Sequence, residues 1–273
     1  AYDPELDLLY IGVGNGAPHN RNIRSPFGGD NLFLCSILAL RPDTGEYVWH
    51  YQEVPAETWD YTATQTIVLA DIDWQGKKRK VLMQAPKAGF FYILDRETGE
   101  LLSAEPYAKK VTWASHYDME TGRPVEVEGQ DYTAAPAMVY PVGLGAHNWH
   151  PMSYSPDTGL MYIPAQHVGG ELKQDNNYQH YPRHWNTGVD TSVDMHNAAL
   201  SQTLLKTFVE GYLLAWDPIK QQAAWTADHQ TIGNGGTLST AGHLVFQGTV
   251  DGLFKAFNAK NGEQLWQFNT QNG

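Results

Sequence analysis

Gly242-His243-Leu244-Val245-Phe246-Gln247-Gly248-Thr249-Val250-Asp251-Gly252-Leu253-Phe254-Lys255-Ala256-Phe257, continuing through Asn258-Ala259-Lys260-Asn261-Gly262 to Gln264-Leu265-Trp266-Gln267-Phe268, decides the fold. Within it Leu244–Gln247, Leu253–Phe257 and Gln264–Trp266 read as three successive strands, joined by an Asp-Gly turn and an Asn-Gly turn. The second turn belongs to a repeat: a strand ending in Ala, a turn with Asp or Asn and usually Gly, then a strand that often closes on Trp. Earlier copies are Ala39-Leu40-Arg41-Pro42-Asp43-Thr44-Gly45 with Trp49, Leu94-Asp95-Arg96-Glu97-Thr98-Gly99 without a Trp, and Ala215-Trp216-Asp217-Pro218 with Trp225.

A second half-motif precedes the first. Tyr2-Asp3-Pro4 leads into Leu8-Leu9-Tyr10-Ile11, and Ser155-Pro156-Asp157 into Leu160-Met161-Tyr162-Ile163. Together the halves make a four-stranded meander. Copies recur at roughly 50 residues from Asp43 to Asp95 and roughly 40 from Asp217 to Asn258, which brackets the ~40–50 residues of a propeller blade. The expected fold is all-β, a β-propeller with tryptophan-docking repeats: residues 1–273 hold about four blades, about half of an eight-bladed ring. Two stretches resist the repeat, near 101–145 and 168–208, and insertions of that length sit over functional faces.

Composition agrees with many short strands. The 273 residues include 9 Trp, 15 Tyr, 26 Gly and 15 Pro, and 42% are hydrophobic, enough for a buried core. A net charge of −12 repels phosphate backbones and anionic lipid, so no nucleic-acid partner is expected. No apolar run is long enough to span a bilayer, and no charged-then-apolar leader opens the chain. Beginning at Ala1 without Met, the chain reads as a mature or internal piece of something longer. The single Cys35 lies in the apolar run Phe33–Leu38 and reads as a buried, inert thiol, which leaves the redox compartment open.

Several further segments carry chemistry: Ile11-Gly12-Val13-Gly14-Asn15-Gly16, Gly28-Gly29-Asp30-Asn31-Leu32, Trp49-His50-Tyr51-Gln52, Thr58-Trp59-Asp60-Tyr61-Thr62, Ala85-Pro86-Lys87, Gly145-Ala146-His147-Asn148-Trp149-His150-Pro151-Met152 and Gly235-Gly236-Thr237. From the residues alone, Asn15 reads as a turn residue among glycines, Asp60 as a turn Asp between aromatics that partly desolvate it, and Lys87 as a lysine reaching for water from a strand edge. In order along nearly the whole chain, however, these segments resemble the alcohol dehydrogenases that carry pyrroloquinoline quinone (PQQ).

That resemblance implies roles. Asn15 gives its side-chain oxygen to Ca²⁺, a hard cation that takes oxygen ligands. Asp60 touches the same metal and is the catalytic base. Lys87 donates to the quinone oxygens, and Asn148 and Trp149 contact the cofactor's edge; the flanking His147 and His150 have no spacing that suggests a metal. The family's lanthanide-using members carry a second carboxylate where this chain has Thr62, so calcium is the expected metal. The implied reaction oxidises an alcohol to an aldehyde or ketone, with Ca²⁺ polarising a quinone carbonyl, hydride passing to the quinone, and electrons going to a cytochrome c in the periplasm. No haem-attachment motif occurs in the chain, so haem c would lie on a missing region or a partner.

The chain departs from the family pattern too. It lacks the paired adjacent cysteines, the stacking Trp, the metal-binding Glu, and the Arg and Thr that hold cofactor carboxylates. Gly233 stands where relatives often have an aromatic residue, and Cys35 where they have a small polar one. The expectation is weak or no PQQ binding by these residues alone. Two other readings compete: a non-enzymatic propeller scaffold of the outer-membrane assembly type, and a propeller glycosidase using Asp43 with Asp60. A scaffold has no reason to hold Asn15, Asp60, Lys87 and Asn148-Trp149 together, and the repeat turn already explains Asp43.

Overall fold

The computed structural model describes residues 1–190 and 209–271; the last part of the insertion near 168–208, from residue 191 on, lies outside the described residues. The chain begins with β1 (Tyr2–Asp3), β2 (Leu8–Gly12), a short helical turn α1 (Arg21–Arg24), β3 (Ser36–Leu40) and β4 (Tyr47–Gln52), the four strands forming one antiparallel sheet in chain order. A second sheet repeats the meander with β5 (Val68–Trp74), β6 (Lys77–Gln84), β7 (Phe90–Asp95) and β8 (Leu101–Pro106). Thus the first residues of the repeat-free stretch near 101–145 complete a blade. Beyond them come a hairpin of β9 (Ala114–Asp118) with β10 (Arg123–Glu126), and β11 (Ala137–Val139).

The third sheet consists of β12 (Ser153–Ser155), β13 (Leu160–Val168), β15 (Val209–Asp217) and β16 (Gln222–His229), while β14 (Gly170–Leu172) turns away to pair with β11. The fourth holds β17 (Thr237–Ser239), β18 (Leu244–Gly248), β19 (Leu253–Asn258) and β20 (Gln264–Asn269). All four share one irregularity, a register shift between the third and fourth strands, at Ala39/Leu40, Ile93/Leu94, Ala215/Trp216 and Ala256/Phe257. Such a bulge increases local twist, and twisted four-stranded sheets are what radial packing requires.

The repeat's Trp and Gly meet across neighbouring blades. A Cβ on Gly99 would lie 2.7 Å from the Trp49 indole, and one on Gly262 2.5 Å from that of Trp225. Each indole therefore lies against the turn glycine of the next blade, where any side chain would intrude. Between the second and third blades both partners are missing together: Ser103 pairs with Ile93 where the other blades have Trp, and Gln221 occupies the turn position of the glycine. That interface is filled instead by Phe91, Met161, Ile163, Tyr212 and Trp216, all buried in one cluster. A docked Trp removes on the order of 200 Å² from water and contributes ~3 kcal/mol.

Cys35 is fully buried, and burial first, then the carboxyls of Glu53 and Glu57, push its thiol well up, consistent with an inert group. No helix among the described residues is long and apolar enough to cross a membrane.

Candidate functional site

At the end of β2 the backbone runs against the segment after Asp60. A Cβ on Gly12 would lie 1.8 Å from the Ala63 carbonyl oxygen, so glycine alone permits the approach, and Ala63 N–H then donates to Val13 O at 3.1 Å. This contact sets the loop that carries Asn15 beside the turn that carries Asp60.

Asp60 itself has φ +68°, the left-handed region, which Asp tolerates better than most residues. Its neighbours hold it there. Trp59 and Tyr61 are buried, the indole N–H donating to Gln130 O at 2.7 Å and the phenol to Pro141 O at 2.5 Å. Beneath them Trp59 packs on Trp113 with ring centres 4.9 Å apart. The fully buried Glu57 closes the turn by accepting the Tyr61 N–H at 2.7 Å, while its other oxygen finds no partner. Burial pushes the Glu57 carboxyl up to about 7, against the opposing effect of its backbone hydrogen bonds and Arg24.

The Asp60 carboxylate is held from two sides. Lys87, largely buried in the loop after β6, donates to Asp60 Oδ2 at 3.1 Å and to its main-chain oxygen at 2.9 Å. Two of the three ammonium donors are thus engaged by one residue, leaving one for a ligand. On the other side His19 Nε2 lies 3.6 Å from Oδ1, too far for a hydrogen bond. Burial lowers the His19 pKa despite Asp60, and the cations Lys87 and Arg24 lower it further, so the ring is neutral at pH 7.

Asn15, His19 and Asp60 line one cleft of about 510 Å³, whose outer wall is Tyr178, His184 and Trp185 from the segment after β14. A second cleft, of about 300 Å³, shares His19 and Asp60 but is walled by Trp59, Tyr132, Val142, Leu144, Leu172 and Val189, a mainly apolar surface. The Asn15 amide nitrogen donates to Gly16 O at 3.3 Å, which leaves its oxygen available to the cleft. Amide oxygen plus carboxylate is a hard-oxygen pair that fits calcium, although Ca²⁺ takes six to eight oxygens and no cluster of three His, Cys, Asp or Glu is found among the described residues. The remaining donors would come from the cofactor, water and residues beyond this chain. Thr62 is buried and bonded to Gln65 at 3.0 Å.

Asn148 and Trp149 line neither of these clefts. The Asn148 amide is used locally, donating to Leu144 O at 2.9 Å and accepting the Trp149 N–H at 2.8 Å. Trp149 is 72% exposed and stacks on His150. His147 is buried between Ala85 O at 2.6 Å and His150 O at 2.7 Å, so it ties this loop to the strand leading to Lys87. Burial keeps His147 toward its neutral form, in which the ring donates to only one of the two carbonyls. Sequence reasoning passed over His19, Glu57 and Arg24; for His19 the nearest signal was its position four residues after Asn15.

The chain as a whole is similar to known proteins. Residues 1–106 match the family described as PQQ: glucose/ethanol/alcohol dehydrogenase, beta-propeller domain. The whole chain is 55% identical to quinohemoprotein alcohol dehydrogenase ADH IIB of Pseudomonas putida and 48% identical to the quinohemoprotein alcohol dehydrogenase of Comamonas testosteroni, spanning 38% of the length of each. Among solved structures, quinohemoprotein alcohol dehydrogenase ADHIIG from Pseudomonas putida HK5 superposes with a TM-score of 0.94 at 49% identity, over 100% of this chain and 40% of that one. A europium-containing methanol dehydrogenase gives 0.87 at 32% identity, over 98% and 45%. Over its whole length the chain is thus similar to part of the β-propeller of the PQQ-dependent alcohol dehydrogenases.

Proposed function

We propose that the protein oxidises alcohols to aldehydes or ketones with PQQ and Ca²⁺, and that Asp60 is the base that takes the hydroxyl proton. The observation that carries this reading is the shared cleft of Asn15 and Asp60, with Lys87 bonded to the Asp60 carboxylate. PQQ, bound with Ca²⁺, supplies the two-electron acceptor. Asn15 Oδ1 and Asp60 would ligate the metal. One oxygen of the Asp60 carboxylate is fixed by Lys87, so the other faces His19 and the cleft, where an alcohol hydroxyl can reach it. The third Lys87 donor is free for an acceptor oxygen of the cofactor. Asn148 and Trp149 belong to the cofactor's surroundings in this reading, with Asn148 held by its local bonds and Trp149 presented to an incoming face.

The carbinol's carbon chain would lie against the apolar wall of Val142, Leu144, Leu172 and Val189. The name of one relative, 1-butanol dehydrogenase (cytochrome c) of Thauera butanivorans, supports a cytochrome c as electron acceptor, and a periplasmic location accompanies that reading. A scaffold leaves the Lys87–Asp60 pair without a purpose. In the full-length protein Asp60→Asn is expected to retain cofactor but to abolish alcohol-dependent dye reduction. Retained turnover removes Asp60 from its role.

A further inference from the structure

The two loops that carry Asn15 and Asp60 are joined by a single guanidinium. Arg24, the last residue of α1, donates through Nη1 to Pro18 O and His19 O, both at 2.7 Å, and through Nη2 to Glu57 O at 2.5 Å. Its Nε donates to Asn31 Oδ1 at 3.0 Å, and Asn31 in turn donates to Ser25 Oγ at 2.6 Å, which fixes the plane of the group. Pro18 and His19 follow Asn15 in one loop, and Glu57 opens the turn that presents Asp60. The side chain also packs on the glycine next to Asn15: a Cβ on Gly16 would lie 2.9 Å from Arg24 Cδ. Asn20 caps α1 by accepting the Asn22 and Ile23 N–H groups, so the base of the arginine is itself anchored.

We infer that Arg24 is a positioning residue that sets the spacing between the Asn15 loop and the Asp60 turn by donating to main-chain oxygens of both at once. The chemistry requires arginine. Its planar fork presents donors in fixed directions to three carbonyls on two segments, whereas a lysine ammonium is a point charge on a flexible stem. Backbone oxygens cannot be supplied or removed by side-chain changes in either loop, so the register of the two loops depends on the guanidinium and on few other ties: Ala63 N–H to Val13 O, and Arg21 N–H to Thr58 Oγ1 at 3.0 Å. Because Arg24 hydrogen-bonds only main-chain oxygens of these loops, its hold on their spacing is geometric, separate from the charge that His19 and Glu57 feel. The inference rests on the proposed joint ligation of calcium by Asn15 and Asp60.

The test uses the full-length protein with Arg24→Lys and Arg24→Ala, and Arg41→Ala as a control. Arg41 makes a comparable bond, to Leu6 O at 2.8 Å, in an outer turn of the same blade. Chelator-stripped protein is titrated with calcium alone, and hydrogen exchange is followed in peptides containing His19 and Tyr61. Both Arg24 variants should bind calcium at least about tenfold more weakly and exchange faster in both peptides, while Arg41→Ala changes neither. Should Arg24→Ala fail to fold, Arg24→Lys, which keeps the charge and part of the bonding, carries the test. Wild-type calcium affinity in the Arg24 variants, or faster exchange in one loop alone, overturns the inference. If the wild-type protein itself takes up no calcium, the joint-ligand reading falls, and the clamp is decided by the exchange data.

Discussion

Replacing Glu57 by glutamine isolates the cost of a carboxylate buried under the turn that holds Asp60. Glu57 is fully buried, accepts the Tyr61 N–H with one oxygen, leaves the other unpartnered, and has its pKa pushed up to about 7 from an ordinary value of 4.5. The folded state therefore holds the proton more tightly than the unfolded chain. Stability from this group is fully present below the unfolded pKa and is lost as pH rises through the folded one. Working the two pKa values through the linkage relation gives a loss of roughly 2–3 kcal/mol between pH 5 and pH 8. The glutamine side chain keeps the acceptor for Tyr61 N–H and does not titrate, so the variant escapes that loss. Urea unfolding of both proteins at the two pH values measures it directly: the stability of Glu57→Gln relative to wild type should rise by about 2–3 kcal/mol from the lower pH to the higher. A relative stability that is flat with pH refutes the argument and means that an unseen partner satisfies the second oxygen.

Gly99→Ala should cost about 2–4 kcal/mol in denaturant unfolding, because its methyl meets the Trp49 indole, while Gly45→Ala, at a similar positive φ with nothing within 4 Å, should cost only about 1 kcal/mol. Equal costs would discount the Trp–Gly docking. Lys87→Met in the full-length protein should lower kcat/KM for alcohols on the order of a hundredfold, since it removes the donor that orients the Asp60 carboxylate; unchanged kinetics would deny Lys87 that part. The 273-residue chain by itself, given PQQ and Ca²⁺, should show no dye-linked turnover, as an amide and a carboxylate are too few oxygens for calcium, and robust turnover would contradict this.

The blade pattern was legible because a Trp and a turn Gly recur at fixed offsets from an Asp or Asn, and those offsets are local consequences of hairpin geometry. The loss of Trp at Ser103 matched by the loss of Gly at Gln221 was not legible. It depends on which blade faces which, information that exists only once the sheets are packed. The site divides in the same way. Asn15, Asp60 and Lys87 were reached through the family's motifs, since spacing alone favoured ordinary turn and edge roles, and the fold brings them to one place because Gly12 lets the loop of Asn15 approach the chain after Asp60. Glu57 and Arg24 gave no signal, because a buried acid and a backbone-binding arginine look like any charged residues in a loop. Asn148 and Trp149 fit a local turn in this chain, and their contact with a cofactor remains a proposal.

The most direct measurement is a crystal structure of the full-length protein grown with calcium. The account predicts one ion with Asn15 Oδ1 and an Asp60 carboxylate oxygen both at about 2.3–2.6 Å. An ion bound without either residue, or an Asn15 amide directed away from it, would contradict the account.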